Sequence, residues 1–137
     1  MKIKNHVIEF ESSFQFQYVD ITDEVEKVVK KEGIREGVAI LHEMHTTGAI
    51  VIQEDDPTIH EDTHEILEEI VPTNKDYRHG YEGNINAAAH IRNQLLGSNV
   101  SIPIVNGRLA LGTWQRVFFI EMFRPRHRKV VMSIIGD

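Results

Sequence analysis

Apolar residues that alternate with polar ones predict strands in the first and last thirds of the chain. In the first third the alternating apolar positions are Ile8, Phe10, Phe14, Phe16 and Tyr18, with a serine turn between the first two and the last three. Residues 37–44 and 49–53 form short, almost wholly apolar runs, which are typical of buried strands. The last third predicts strands at 100–105, 108–111, 117–123 and 129–135.

Helical spacing of apolar residues predicts two helices in the first half of the chain. The first starts at an N-cap residue, Thr22, and stops at Gly33, because glycine readily adopts the left-handed conformation that ends helices. The second starts at the pair Asp56-Pro57, where aspartate caps the helix and proline occupies its first position. It ends near residues 71–72.

The third predicted helix follows an irregular loop over residues 72–84. Either Asn84 or Asn86 serves as its N-cap, and Gly97 ends it. The dipeptide Asn106-Gly107 then predicts a tight hairpin between strands. Because strands and helices do not alternate strictly, the pattern indicates an α+β fold. We expect one compact domain over residues 1–137, with mixed or antiparallel sheets and two to three helices.

Composition narrows the possible chemistry. The 137 residues include eight histidines and no cysteine, so a bound metal would need nitrogen and oxygen ligands. A formal net charge of −6 argues against nucleic acid as a partner. No apolar run reaches the roughly 18 residues that a membrane-spanning helix needs. With no secretory signal pattern at the N-terminus, we expect a cytoplasmic protein that does not bind membranes.

Charge is distributed unevenly along the chain. Residues 54–69 contain eight acidic residues and no lysine or arginine, whereas residues 107–137 contain six basic residues and two acidic ones. This asymmetry favours subunit docking, or an anionic ligand near the basic part. Ordinary solvated faces are the simpler alternative.

Three histidines are candidates for a metal site. His45 stands at a strand end before Thr46 and Thr47, His79 follows Arg78 in the long loop, and His90 shares a helix face with Asn86. If the three imidazoles converge, a fourth coordination position stays open, as in catalytic zinc sites. A core histidine at position 45 and a solvated one at position 79 are the structural alternatives.

A second histidine pair, His60 and His64, competes with this assignment. Spaced four residues apart on an acidic helix, the two could bind one metal, but the spacing dictates no third ligand. An exposed polar helix face is the simpler explanation.

The last third carries the remaining candidates. Glu121 lies in a strand that is apolar on both faces, so its carboxylate must either pair with an arginine or serve as a functional acid, base or outer-shell ligand. Just before this strand, Trp114 could wall an apolar pocket and Gln115 offers amide donors and acceptors. Residues 124–129 place cations in a turn that could bind phosphate, or could equally be an exposed hairpin tip; a weak nucleic-acid patch is the least favoured alternative in a net acidic chain.

Taken in order, these segments resemble the YjbQ family, also called the secondary thiamine-phosphate synthase family. The resemblance runs nearly end to end, and the segment 107–115 is its most specific part. The matching stretches are His45-Thr46-Thr47, Asp56-Pro57, Val71-Pro72, Tyr77-Arg78-His79, 86–90, Leu95-Leu96-Gly97-Ser98, 106–115, Glu121 and 130–136.

The resemblance implies a homotrimer with a histidine-lined pocket that holds a divalent metal, zinc being the first candidate. It also implies a transferase activity that joins hydroxymethylpyrimidine diphosphate to thiazole phosphate. The implied metal ligands are His45, His79 and His90. Catalytic roles fall to Arg78, Gln115 and Glu121, and contacts with a small phosphorylated substrate fall to Thr46, Thr47, Asn86, Arg108, Trp114 and Arg126.

Two other functions remain open from the sequence. One is a metal-dependent hydrolase of a small phosphorylated metabolite, which would release inorganic phosphate without a second substrate. The other is a non-enzymatic trimeric protein whose pocket binds a small anion or a metal.

Overall fold

A computed structural model describes residues 1–137, which form eight strands, three α-helices and one 3-10 turn. The strands are β1 (Lys2–Glu11), β2 (Gln17–Asp20), β3 (Gly37–Glu43), β4 (Gly48–Gln53), β5 (Asn99–Val105), β6 (Arg108–Leu109), β7 (Arg116–Glu121) and β8 (His127–Gly136). The helices are α1 (Thr22–Glu32), α2 (Pro57–Ile70) and α3 (Asn84–Leu96), and the 3-10 turn is Gly80–Glu82.

The strands form two sheets. The larger has the order β1-β8-β3-β5-β6 and the smaller the order β2-β7-β4. Every strand pair is antiparallel. The predicted α+β domain is therefore confirmed, and of the two sheet types that the sequence allowed, the structure has the antiparallel one.

Two apolar clusters fill the interior. The larger lies between α1 and the sheets and includes Val25 and Val29 of α1 beside Phe119 of β7. The smaller includes Leu67 of α2 and Ala89 of α3. Because a methyl group takes little space, the alanines of α3 let this helix approach β4 closely. This contact brings the start of α3 next to the loop that carries His45.

Local signals in the sequence locate several element boundaries. Gly33 ends α1 in the left-handed conformation, with φ of 65°. Asp56 caps α2 by accepting a hydrogen bond from the Thr58 amide, and Pro57 is the first helical residue. Asn106 and Gly107 have φ of 52° and 79°, as a tight hairpin with two left-handed residues requires. These predictions are confirmed.

Other boundaries differ from the predictions. Phe14 lies outside any strand, because residues 12–16 turn and Phe16 adopts a positive φ of 57° that directs its ring toward α2. Thr22 is the first residue of α1 and not its cap; the Asp20 carboxylate accepts a hydrogen bond from its amide at 2.9 Å. Gly83, not Asn84 or Asn86, precedes α3.

The strands of the last third also differ in length from their predictions. β6 is only two residues long, and the loop that follows it occupies residues 110–115. β7 ends at Glu121, and β8 begins two residues earlier than the alternation suggested, at His127.

Candidate metal centre and adjoining cavities

Three side chains at the start of α3 form a group that could hold a metal ion. His79 precedes the 3-10 turn, Glu82 is its last residue, and His90 lies in the middle of α3. One nitrogen or oxygen atom from each lies within 4.8 Å of the other two. Gly83, with φ of 97°, makes the sharp bend that returns the helix beneath the turn.

His79 has a ring nitrogen that is available for a metal. Its Nε2 is buried and has no hydrogen-bond partner, while its Nδ1 lies 2.8 Å from the Tyr81 hydroxyl oxygen. If Nδ1 carries the proton and donates it to Tyr81, the lone pair on Nε2 is free to coordinate. A buried, unpartnered nitrogen is costly, and a metal ion would remove this cost.

The other two members supply one more nitrogen and a carboxylate. The rings of His79 and His90 lie edge to face, with centroids 4.7 Å apart. Burial, followed by the nearby His79, lowers the pKa of His90, which favours the neutral imidazole that binds metals. Two imidazoles and one carboxylate form a donor set that suits zinc and leaves a fourth position open.

His45 lies in a neighbouring cavity and not in this group. Its Nε2 accepts a hydrogen bond of 2.9 Å from the backbone N–H of Lys129. Burial, followed by the charge on Arg128, lowers the pKa of His45. Of the three histidines that the sequence singled out, the structure brings His79 and His90 together and places Glu82 where His45 was expected.

The cavity that contains His45 adjoins the metal group. It measures about 280 Å³, and Glu82 and His90 belong to its wall. Its wall also includes five predicted site residues, namely His45, Thr46, Thr47, Asn86 and Arg126. Asn86 is buried, and its Oδ1 has no partner. This unpartnered atom and the Arg126 guanidinium give the cavity polar groups for a ligand.

A second cavity also has His90 in its wall. It measures about 640 Å³ and is lined by Arg78 together with His79 and His90. Lys75 and Asp76 add charges of both signs to its wall. The metal group therefore adjoins two cavities, and each of them is lined by at least one arginine.

Glu121 lies under the smaller cavity in a closed network. The carboxylate is fully buried, and Arg128 donates to both of its oxygens, from Nε at 2.7 Å and from Nη2 at 2.5 Å. Ser12 donates to it through its hydroxyl at 2.6 Å, and Phe123 through its amide at 3.1 Å. Arg128 also donates to Thr47 in the cavity wall, at 3.0 Å. Of the two roles that the sequence allowed, the arginine partner is the one that the structure shows.

Two residues of the site escaped the sequence analysis. The one sequence signal for Glu82 is its spacing of three residues from His79, which suggests a shared turn. Glu43 is buried, and burial raises its pKa. It accepts hydrogen bonds from the His45 amide and the Asn93 side chain, so it holds the His45 strand end against α3.

Three predicted site residues lie elsewhere in the chain. Arg108 and Gln115 line a third cavity, which shares no residue with the two at the metal group. Trp114 is 70% exposed on the loop between β6 and β7. Within one copy of the chain, these residues do not join the histidines.

A family model described as UPF0047 protein YjbQ-like matches residues 6–137. The chain belongs to the YjbQ/UPF0047 family. A UPF0047 protein of Archaeoglobus fulgidus is 41% identical over 119 residues, which cover 87% of this chain and 91% of that protein. Another, of Methanothermobacter thermautotrophicus, is 35% identical over 136 residues, or 99% of this chain and 94% of that one.

Solved structures of YjbQ/UPF0047 relatives share the fold. A hypothetical protein from Aeropyrum pernix K1 superposes with a TM-score of 0.91 at 33% identity, covering 98% of this chain and 99% of that chain. A YjbQ/UPF0047 family protein from Clostridium acetobutylicum gives 0.88 at 40% identity, covering 95% and 99%. A relative from Sulfolobus solfataricus is described as a protein of unknown function. No helix of this chain is long and apolar enough to cross a membrane.

Proposed function

We propose that this YjbQ-like protein is a metal-dependent transferase that acts on a small phosphorylated substrate in the cavity beside His90. One observation carries the proposal: His79, Glu82 and His90 each offer a ligand atom within 4.8 Å of the other two, and the Nε2 of His79 is buried without a hydrogen-bond partner. Next to this donor set, the cavity contains Arg126 and the Thr46 side chain, which suit the oxyanions of a phosphate.

The activity to test first is the one that the family resemblance implies. The thiazole nitrogen forms a bond to the methylene carbon of hydroxymethylpyrimidine diphosphate. The bond from that carbon to the diphosphate oxygen breaks, and pyrophosphate leaves with the electron pair. His79, Glu82 and His90 would hold a divalent ion, whose positive charge would stabilise this leaving group.

We assign His45 to the substrate and not to the metal. A backbone N–H can only donate, so the Nε2 that accepts from Lys129 must lack a proton. In the neutral ring the proton then sits on Nδ1, which makes His45 a hydrogen-bond donor. Together with Arg126, it would bind a phosphate oxygen of the substrate. Glu121 and Arg128 act as positioning residues, since Arg128 holds Thr47 in the cavity wall.

The metal assignment is tested by elemental analysis after dialysis against zinc. We expect about one zinc per chain in the wild type, and loss of zinc in His79→Ala and His90→Ala. His64→Ala is the matched control, because His64 lies on α2 and is not one of the three proposed ligands. Retention of a full equivalent of zinc by His90→Ala would refute the site.

The reaction is tested by supplying each substrate alone and both together, with and without zinc. We expect pyrophosphate release only when both substrates are present, and a loss of at least about 100-fold in kcat in His90→Ala, since metal-bound charge stabilisation contributes several kcal/mol. Release of inorganic phosphate from one substrate would make the protein a hydrolase. Thermal stabilisation without turnover would make it a binding protein.

We also propose that the chain assembles as a homotrimer, the state that the resemblance implies. The outer face of the larger sheet supports self-association, because Ile3, Val7 and Ile40 are 66%, 56% and 38% exposed. The strand register pairs Ile3 with Ile135 and Val7 with Val131, and it places Ile40 opposite Ser133, between these two positions of β8. Such an apolar open face is typical of an interface.

Light scattering after size exclusion tests the assembly. It should give three chains for the wild type and fewer for Ile40→Lys; a monomeric wild type would contradict this.

A further inference from the structure

A third cavity lies away from the metal group, between α1, the β5–β6 hairpin and the loop before β7, and it is larger than the two cavities at the histidines. It measures about 780 Å³, within the range of cavities that bind small molecules. None of its lining residues belongs to the two cavities at His79 and His90. It is therefore a separate candidate site, and its chemistry can be derived from its own wall.

Positive charge dominates this wall. Lys30, Arg35, Arg108 and Arg116 line the cavity, and Glu26 is the one carboxylate among the lining residues. Arg116 is neutralised by ion pairs with Asp20 at 2.8 Å and Asp23 at 3.2 Å. Among the other lysines and arginines, only Arg92, Arg128 and Lys129 form ion pairs. Lys30, Arg35 and Arg108 therefore line the cavity without an anionic partner.

Backbone hydrogen bonds fix two of these cations beside each other. The Gly107 amide donates to the Arg35 carbonyl oxygen at 2.9 Å, which ties the segment after α1 to the tip of the hairpin. Arg108 follows Gly107 directly. The Glu36 carboxylate accepts a hydrogen bond from the Asn106 amide at 3.1 Å. The cations are brought together by the fold, in a chain whose net charge is −6.

Gln115 adds donors of fixed orientation. Its side-chain Oε1 accepts a hydrogen bond from the backbone N–H of Gly112 at 2.8 Å. Its backbone N–H donates to the Gly112 carbonyl oxygen at 3.1 Å. Because the side-chain oxygen is occupied, the Nε2 group carries two N–H donors with no protein partner. Thr113 contributes a hydroxyl to the same wall.

We propose that this cavity binds a small molecule that carries a diphosphate or two phosphate groups. Lys30, Arg35 and Arg108 would neutralise its charge, and the Gln115 amide and Thr113 hydroxyl would bind its oxygens. A single phosphate carries at most two negative charges at neutral pH, fewer than the three cations without an ion pair in this wall. A ligand with two linked phosphates can contact both walls, so the site should prefer it. This inference is independent of the metal site.

The test is calorimetric titration of metal-free protein with inorganic pyrophosphate, and separately with inorganic phosphate, at constant ionic strength. We expect saturable pyrophosphate binding, at least about tenfold tighter than phosphate binding. Lys30→Gln/Arg108→Gln should weaken pyrophosphate binding by at least about tenfold, since each charge-assisted contact contributes roughly that factor.

The matched control is Lys27→Gln/Lys31→Gln. Both lysines lie on α1, Lys31 shares the last turn with Lys30, and neither lines the cavity, so this variant removes the same net charge and keeps all proposed contacts. Its pyrophosphate affinity should stay within about twofold of the wild type. His90→Ala should also keep that affinity, because His90 lies at the other site.

A second readout locates the ligand. In ¹⁵N-labelled protein, pyrophosphate should shift the side-chain NH₂ resonances of Gln115 and the amide of Gly107, and leave that of Gly80 in place. Equal weakening in both double variants, or loss of binding in His90→Ala, would overturn the proposal. So would shifts confined to the histidine cavities.

Discussion

Among single residues, Glu121 shows how strongly one buried charge depends on its partner. The carboxylate and the Arg128 guanidinium are both almost fully buried, and each is held by further hydrogen bonds to Ser12 and Thr47. Burying two charges away from water is costly, so we interpret this ion pair as a feature that selects one packed conformation as much as one that stabilises the fold. It fixes Thr47, and with it the turn that presents His45.

The first prediction concerns this pair. Glu121→Gln should lower the free energy of unfolding by about 3–5 kcal/mol, because it leaves Arg128 charged, buried and only partly paired. Urea denaturation followed by circular dichroism measures the loss. The double variant Glu121→Gln/Arg128→Met should lose less than the single one, since the uncompensated charge is gone. A double variant that is less stable than Glu121→Gln would contradict this explanation.

The second prediction concerns Asp20 at the start of α1. Burial raises the pKa of Asp20, but hydrogen bonds from Arg116 and Thr22 outweigh it, and the net result is a lowered pKa. Its ionised form therefore stabilises the fold above the ordinary aspartate pKa of about 3.9, and this contribution is lost as pH falls through the lowered folded pKa.

We accordingly expect Asp20→Asn to be about 1 kcal/mol less stable than the wild type at pH 7, a modest value because the ion pair is partly exposed. The difference should disappear in strong acid. Thermal unfolding at pH 7 and at about pH 2.5 checks this. Asp55→Asn is the control, because Asp55 makes no ion pair. A deficit of equal size at both pH values would show that the charge of Asp20 is irrelevant.

At the scale of elements, α2 is attached to the rest of the fold in an unusual way. Leu67 is its one buried residue, and two of its histidines stack on aromatic rings in β2 or just before it. His60 stacks on Tyr18 with ring centroids 3.7 Å apart, and His64 stacks on Phe16 at 4.1 Å. This geometry explains the histidine pair that the sequence offered as a rival metal site: its rings are used in packing.

The third prediction follows from these stacks. Burial, followed by the charge on Arg92, lowers the pKa of His64. The neutral ring therefore stabilises the docked helix above the unfolded histidine pKa of about 6.5, and this contribution is lost as pH falls through the lowered folded pKa. Amide hydrogen exchange in α2 should accelerate between pH 7 and pH 5, relative to α1 and after correction for intrinsic rates.

His64→Leu is the matched variant for this experiment. It keeps an apolar contact with Phe16 and cannot titrate, so the extra acceleration in α2 should be abolished. If α2 in His64→Leu still opens more than α1 at pH 5, protonation of His64 is not the cause.

At the scale of the whole molecule, two sites of opposite chemistry stand apart. The carboxylate and imidazoles at α3 suit a cation, and the wall formed by α1 and the hairpin suits an anion. Their lining residues do not overlap, although the sequence analysis had assigned Arg108 and Gln115 to the substrate of the histidine site. Those two assignments stay predictions.

The fourth prediction concerns the independence of these sites. A ligand that binds the folded state at about 100 times its Kd stabilises it by about 2.7 kcal/mol, and effects at distant sites add. Zinc should therefore raise the Tm of Lys30→Gln/Arg108→Gln as much as that of the wild type. Pyrophosphate should likewise raise the Tm of His90→Ala as much as that of the wild type, with each ligand added alone. A zinc effect missing from the cavity variant would show that the sites are coupled.

The sequence by itself determined most elements and the kinds of ligand atoms available. Periodicity and caps are local properties, so α1, α2 and the Asn106-Gly107 hairpin follow from neighbouring residues. Short, almost wholly apolar runs likewise predicted β3 and β4. The absence of cysteine limited any metal site to nitrogen and oxygen donors.

Only the tertiary structure decided which of these residues meet. Whether an imidazole reaches a metal depends on packing between segments that are distant along the chain, and periodicity carries no information about such contacts. The 3-10 turn packs against α3 and so brings Glu82 close to His79 and His90. The Nε2 of His45 instead accepts a hydrogen bond from the Lys129 amide. Likewise, the packing of α1 against the hairpin gathered cations that are some eighty residues apart in the sequence into one cavity.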